Sequence, residues 1–170
     1  IAAACPKIDI TIAYQEGTQC VILNGENVND YIRDEEVGIM ASNTSIYADV
    51  RAKLTALQQK LAQTSNVIMD GRDIGTCVLP NAQVKIYLTA KVSARAARRY
   101  EELVKKGVEA DYDQIETDIK DRDYRDMHRE IAPLKQADDA ILVDSSDMDI
   151  EQVLSAIKKI YEKAVLKGKE

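Results

Sequence analysis

The sequence predicts an α/β domain with parallel strands, preceded by a small antiparallel β piece. Two observations predict it. From residue 67 onward short apolar runs alternate with helical stretches, and uninterrupted apolar runs are the mark of strands covered on both faces. Between residues 8 and 29, by contrast, apolar and polar residues alternate and are broken by tight-turn pairs, the mark of hairpins. The 170 residues suit one domain with an appendage.

The elements follow in order. Ile8, Ile10 and Ile12 alternate with polar residues, Glu16-Gly17 turns the chain, Gln19 to Leu23 returns, and Asn24-Gly25 makes a second turn. Asp34 to Asn43 predicts a short helix. Ala48 to Gln63 predicts a longer one, with Val50, Leu54, Leu57 and Leu61 at helical spacing. Val67 to Met69 reads as a first buried strand and Val84 to Leu88 as a second, introduced by a turn at Pro80-Asn81. A helix capped by Ser93 and stopped by Gly107 comes next, then one capped by Asp111 that runs to about Arg125. After a break at Pro133, Ala140 to Val143 predicts a third strand. The closing helix starts at Ile150, where Asp149 and Gln152 have the spacing of a capping box.

Composition narrows the function. A net charge of -6 disfavours a general nucleic-acid binder, because phosphate backbones demand a basic surface. No run approaches the roughly 18 apolar residues of a membrane span. Three cysteines with no CxxC spacing fit a reduced, cytoplasmic setting, and no metal-ligand cluster is visible. The arginines are uneven: six of nine lie between Arg95 and Arg129, whereas the closing helix carries only lysines. Arg is the residue of planar, bidentate phosphate recognition. Ten acidic residues share that stretch, so a self-neutralising surface is the competing reading.

Two strings carry chemistry. Val67-Ile68-Met69 turns abruptly into Gly71-Arg72-Asp73-Ile74-Gly75-Thr76, which sets a cation beside a carboxylate at a strand end, where open α/β sheets bind ligands. Arg72 can fork onto a phosphate and Asp73 can only accept hydrogen bonds, so a nucleotide with an exocyclic amine would suit both. Further on, Arg122, Asp126 and Arg129 fall at i, i+4 and i+7, which on a helix is one face.

In order along the chain, Ile32-Arg33, Val37, Ser42 and Val50-Arg51, then Gly71 to Thr76, Pro80, Val84 to Leu88, Arg95-Ala96-Ala97-Arg98-Arg99, Arg122 to Arg129 and Ala132-Pro133-Leu134 resemble bacterial cytidylate kinases. The resemblance implies a P-loop nucleoside monophosphate kinase fold, with a small antiparallel insertion over residues 5–33. A kinase core over 34–170 would carry a lid at about 95–130. It implies transfer of the γ-phosphoryl of ATP, with Mg²⁺, to CMP or dCMP by a cytoplasmic monomer that needs neither nucleic acid nor membrane. By the same resemblance Ser42, Arg51 and Asp73 would read cytosine, Arg72 and Arg129 would hold the CMP phosphate, and Arg122 and Asp126 the sugar hydroxyls. Arg125, with Arg98 and Arg99, would belong to the lid over ATP, and Arg125 and Arg129 would serve catalysis. Arg33 would anchor the small β piece through an ion pair, and His128 would be incidental, since phosphoryl transfer needs no imidazole. One departure is local: Ala48 stands where the family has Pro, a residue pre-organised for a helix start.

The larger departure is the phosphate-cradling Gly-x-x-x-x-Gly-Lys-[Ser/Thr] loop, which these 170 residues do not contain. The expectation is therefore a kinase fragment, inactive by itself, whose first strands are missing. In that fold a further strand separates the Val67 and Val84 strands, so the two should not pair directly. Two other functions remain open: a non-catalytic nucleotide- or partner-binding module, and a kinase of another small phosphate acceptor.

Overall fold

The computed structural model describes residues 2–167, and the chain divides into two compact units, Ile1–Met69 and Asp70–Glu170. The two helices that follow the small sheet are grouped with it in the first unit.

In the first unit a short 3-10 segment (Ala2–Lys7) leads into β1 (Ile10–Gln15), β2 (Thr18–Leu23) and β3 (Glu26–Asn27), an antiparallel sheet in the order β1-β2-β3. Register runs from Ile10 opposite Leu23 to Gln15 opposite Thr18. Both turns are two-residue pairs with positive φ at each position, Glu16 at 51° and Gly17 at 79°, then Asn24 at 52° and Gly25 at 89°. That is the mirror-image turn whose twist matches the flanking strands, and Asn-Gly is its preferred sequence. Asn29 ties the sheet's end down: its carboxamide oxygen accepts from Val21 N–H at 2.9 Å and its NH₂ donates to Gln19 O at 2.8 Å.

Helices α1 (Glu35–Thr44) and α2 (Ala48–Thr64) complete the unit. Asp34 occupies the α1 N-cap without a side-chain cap bond. Helix α2 starts at Ala48 without a proline, because Tyr47 before it is already extended (φ -81°, ψ 118°). Lys53 on α2 donates to Cys5 O at 2.5 Å and also to Ile8 O, which fastens the N-terminal segment to the helix. Arg33 is exposed and forms no ion pair among the described residues, so the anchor expected of it is not seen.

The second unit begins at the Gly-Arg-Asp string and contains β4 (Ile86–Thr89), α3 (Val92–Lys105), α4 (Tyr112–His128), β5 (Ile141–Asp144) and α5 (Ile150–Lys167). Strands β4 and β5 pair in parallel, Ile86 opposite Ile141 through Thr89 opposite Asp144. The α/β class with a parallel pair and an antiparallel sheet is therefore as expected.

Two expectations about the strands need correction. Val67–Met69 forms no strand, and Ile68 is fully exposed at 103%. An extended run becomes a strand only when a neighbour completes its ladder, and none does so here. Nor is the parallel pair covered on both faces: Val143 is buried, but Leu88, Ile141 and Leu142 are exposed.

The helix ends follow local chemistry closely. Gly107 (φ 72°) ends α3 in a Schellman arrangement, with Gly107 N–H donating to Val104 O and Val108 N–H to Leu103 O, both at 3.0 Å. At the other end Ser93 is not the cap: the helix begins two residues earlier than such a cap would allow, with Lys91 as N-cap and its N–H donating to Ser146 Oγ at 2.8 Å. Asp111 caps α4 by accepting from Asp113 and Gln114 N–H, and α4 continues to His128 rather than to Arg125. The Asp149/Gln152 capping box is reciprocal, at 2.9 and 2.8 Å.

Candidate functional site

The Gly-Arg-Asp string is built as a tight turn rather than a plain loop. Asp73 caps a single π turn, Ile74–Val78, and its carbonyl accepts from Cys77 N–H at 2.8 Å and Val78 N–H at 3.2 Å. Single π turns of this kind are frequent at functional sites. Gly71 is required by crowding, since a Cβ there would lie 2.8 Å from Ile74 Cγ1. A side chain at position 71 would push the turn away from the Arg72 and Asp73 backbone it fixes.

Helix α4 brings the second string to the first. Asp126 lies in the last turn of the helix, and Arg72 donates its Nε–H to Asp126 Oδ2 at 3.1 Å across 54 residues of sequence. Arg122 Nε stands 3.9 Å from that same oxygen, and Arg129 has one terminal nitrogen 4.0 Å from Asp126 Oδ1 and the other 3.9 Å from Asp73 Oδ1. Asp73, Asp126 and Arg129 are largely buried, with side chains 13–14% exposed, whereas Arg122 is 57% exposed. One carboxylate thus stands within 4 Å of three guanidiniums. Three cations at such separations repel one another, and a shared anion among them lowers that cost.

Arg129 is held by its own loop. It is the C-cap of α4, its Nε–H donates to Ala132 O at 2.6 Å, and Leu134 N–H returns to Asp126 O at 2.8 Å. Using Nε on a carbonyl leaves the forked end of the guanidinium as the part that faces the two carboxylates. Such a fork matches a phosphate bidentately.

The remaining arginines separate by environment. Arg95 grips Asp123 with both terminal nitrogens, at 3.0 and 2.5 Å, while its Nε–H donates to Ala90 O at 3.0 Å. This ties α4 to α3 and to the end of β4, and the hydrogen bonds to Asp123 raise the Arg95 pKa above its ordinary value against the opposing effect of burial. Arg98 spends its guanidinium on Ser145 Oγ, Ser145 O and Met148 O, fastening α3 to the chain after β5. Arg99 pairs with Glu102 at 3.1 Å on the helix surface, and Arg125 donates to Asp121 O at 3.3 Å in an exposed position. His128 is stacked on Tyr124 with ring centroids 4.0 Å apart.

Of the residues predicted from sequence, Arg72, Asp73, Arg122, Asp126 and Arg129 converge in the second unit. Ser42 and Arg51 belong to the first. Ser42 lies on α1 with its carbonyl accepting from Ser45 Oγ at 2.7 Å, and Arg51 on α2 donates to Ser45 O at 3.4 Å. Sequence reasoning assigned no role to the Arg95–Asp123 pair. Its only trace was the arginine enrichment, because a contact between two helices 28 residues apart leaves no periodic signal.

The chain as a whole is similar to known proteins. A family model described as cytidylate kinase matches residues 2–163. Curated relatives named cytidylate kinase include that of Caldicellulosiruptor bescii, 50% identical over 157 residues, covering 92% of this chain and 70% of the relative. That of Bacillus licheniformis is 46% identical over 160 residues, 94% of this chain and 70% of the relative. That of Pasteurella multocida is 43% identical over 155 residues, 91% and 68% respectively. With the family model covering nearly all of it and relatives near half identity, this chain belongs to the cytidylate kinase family.

Proposed function

We propose that the chain supplies the acceptor-nucleotide site and lid of an enzyme that moves the γ-phosphoryl of ATP onto CMP or dCMP. The observation that carries this reading is the Arg72–Asp73–Asp126–Arg129 cluster, two guanidiniums and two carboxylates gathered from segments 54 residues apart. A phosphate needs the first kind of group, and a base amine or a sugar hydroxyl needs the second.

In this reading Arg72 and Arg129 take the CMP phosphate. Arg72 then exchanges its bond to Asp126 for one to phosphate, and Asp126, with Arg122, turns to the sugar hydroxyls. Asp73 accepts from the cytosine N4 amine. Uracil presents an acceptor at that position and would leave Asp73 facing a lone pair. Arg125 is the lid residue that approaches the transferring phosphoryl group, where positive charge stabilises the transition state without covalent chemistry. Arg99 is a second lid candidate. Arg98 is the weaker lid candidate, because its guanidinium is engaged by the carbonyls of Ser145 and Met148.

Magnesium enters with ATP in such a reaction. Among the described residues no three His, Cys, Asp or Glu side chains converge to hold a cation, so no step is routed through the metal here. The reading is tested by assaying CMP phosphorylation in the product of the complete reading frame. Turnover of CMP with ATP supports it. No transfer to CMP, with retained nucleotide binding, would favour a binding module instead.

A further inference from the structure

Ala132 has a left-handed backbone, φ 50°, the sole non-glycine residue among those described in the second unit to do so. It is not one of the turn-forming Asn or Asp residues that tolerate this region, and it precedes Pro133. The strained residue is also the one whose carbonyl accepts the Arg129 Nε–H, at 2.6 Å. Pro133 disfavours the right-handed helical conformation for the residue before it. The Leu134 N–H to Asp126 O bond closes the loop back onto the helix.

We infer that Ala132 is a positioning residue for phosphate recognition: its left-handed backbone aims its carbonyl at Arg129 Nε and so orients the fork of that guanidinium. The inference rests on the reading of Arg129 as a ligand of the CMP phosphate. It explains why the position calls for arginine. Lysine has no second donor along its stem, so it could not hold the carbonyl and present a two-pronged end together. It also gives strain a purpose, since strained backbone persists where surrounding contacts over-determine it, often at ligand clamps.

The test is a double-mutant cycle in the complete gene product, with KM for CMP, KM for ATP and thermal melting measured on each variant. Ala132→Gly, which adopts positive φ freely, should leave KM for CMP near that of the parent. Ala132→Val, β-branched and disfavoured there, should raise KM for CMP about tenfold, the scale of one lost charge-assisted hydrogen bond, with KM for ATP unchanged. In an Arg129→Met background Ala132→Val should cost nothing further, because the group it orients is gone. Equal additive losses in both backgrounds, or KM values for CMP and ATP that rise together, would overturn the inference and leave Ala132 a stability residue. If Arg129→Met itself leaves KM for CMP unchanged, the reading of Arg129 fails first, and the positioning role falls with it.

Discussion

The two units solve the same problem, making a sheet and fixing side chains on it, in opposite ways. In the first, β1 and β2 are joined by a two-residue turn and pair along their full length, so every ladder contact is close in sequence. In the second, β4 and β5 are parallel and separated by two helices, and the candidate site depends on Arg72 meeting Asp126 from 54 residues away. The local unit is specified by its turns. The non-local one is specified by a few ion pairs and hydrogen bonds that hold distant segments in place.

The largest expected effect therefore falls on the hub of the non-local unit. Asp126→Asn removes the charge that three arginines share while keeping the side chain's size. It should raise KM for CMP by roughly ten- to a hundredfold, on the scale of a lost hydrogen bond between charged groups. If the loss also persists with a CMP analogue lacking both sugar hydroxyls, Asp126 organises the arginines as well as binding the sugar. A loss confined to the hydroxyl-bearing substrate would reduce it to a sugar ligand.

A smaller effect is expected at the brace between helices. Arg95→Ala breaks the bidentate pair with Asp123, and because Arg95 is about a third exposed the cost should be about 1 kcal/mol after screening. Thermal melting measures it, and Asp123→Ala in the Arg95→Ala background should add little. Full additivity would mean the two residues stabilise the fold separately.

The smallest effect belongs to the local unit. Gly25→Ala places a Cβ at φ 89° and should destabilise the β2–β3 turn by about 1 kcal/mol, with nucleotide affinity unchanged. Hydrogen exchange across β2 and β3 would show it. A change in CMP affinity of the same size as that of Asp126→Asn would contradict the contrast between the units.

This contrast also explains what was legible in advance. Asn24-Gly25, the Asp111 cap, the Gly107 stop and the Asp149/Gln152 box are read from adjacent residues, and all four form as their sequences predict. Gly71-Arg72-Asp73 and the Arg122–Arg129 stripe were legible as two strings, and their convergence followed only by likeness to a family. Val67–Met69 shows the limit: its apolar run has the right composition, but a strand also needs a partner that composition cannot name. Ser93 shows a subtler one, since the N-cap is Lys91, whose N–H donates to Ser146 Oγ, far away in sequence. Arg98 looked like its neighbour Arg99 and proved different because Ser145 and Met148 carbonyls lie beside it.

If the arginine–carboxylate cluster reads a cytidine nucleotide, base choice should turn on Asp73. Asp73 also lies 3.9 Å from Arg129, so Asp73→Asn should weaken CMP and UMP alike through the phosphate clamp. The informative quantity is the ratio of kcat/KM for CMP to that for UMP. Asp73→Asn should lower this ratio by at least about tenfold, because Asn can donate to the uracil O4 where Asp cannot. An unchanged ratio, with both substrates weakened equally, would remove Asp73 from the base and contradict the account.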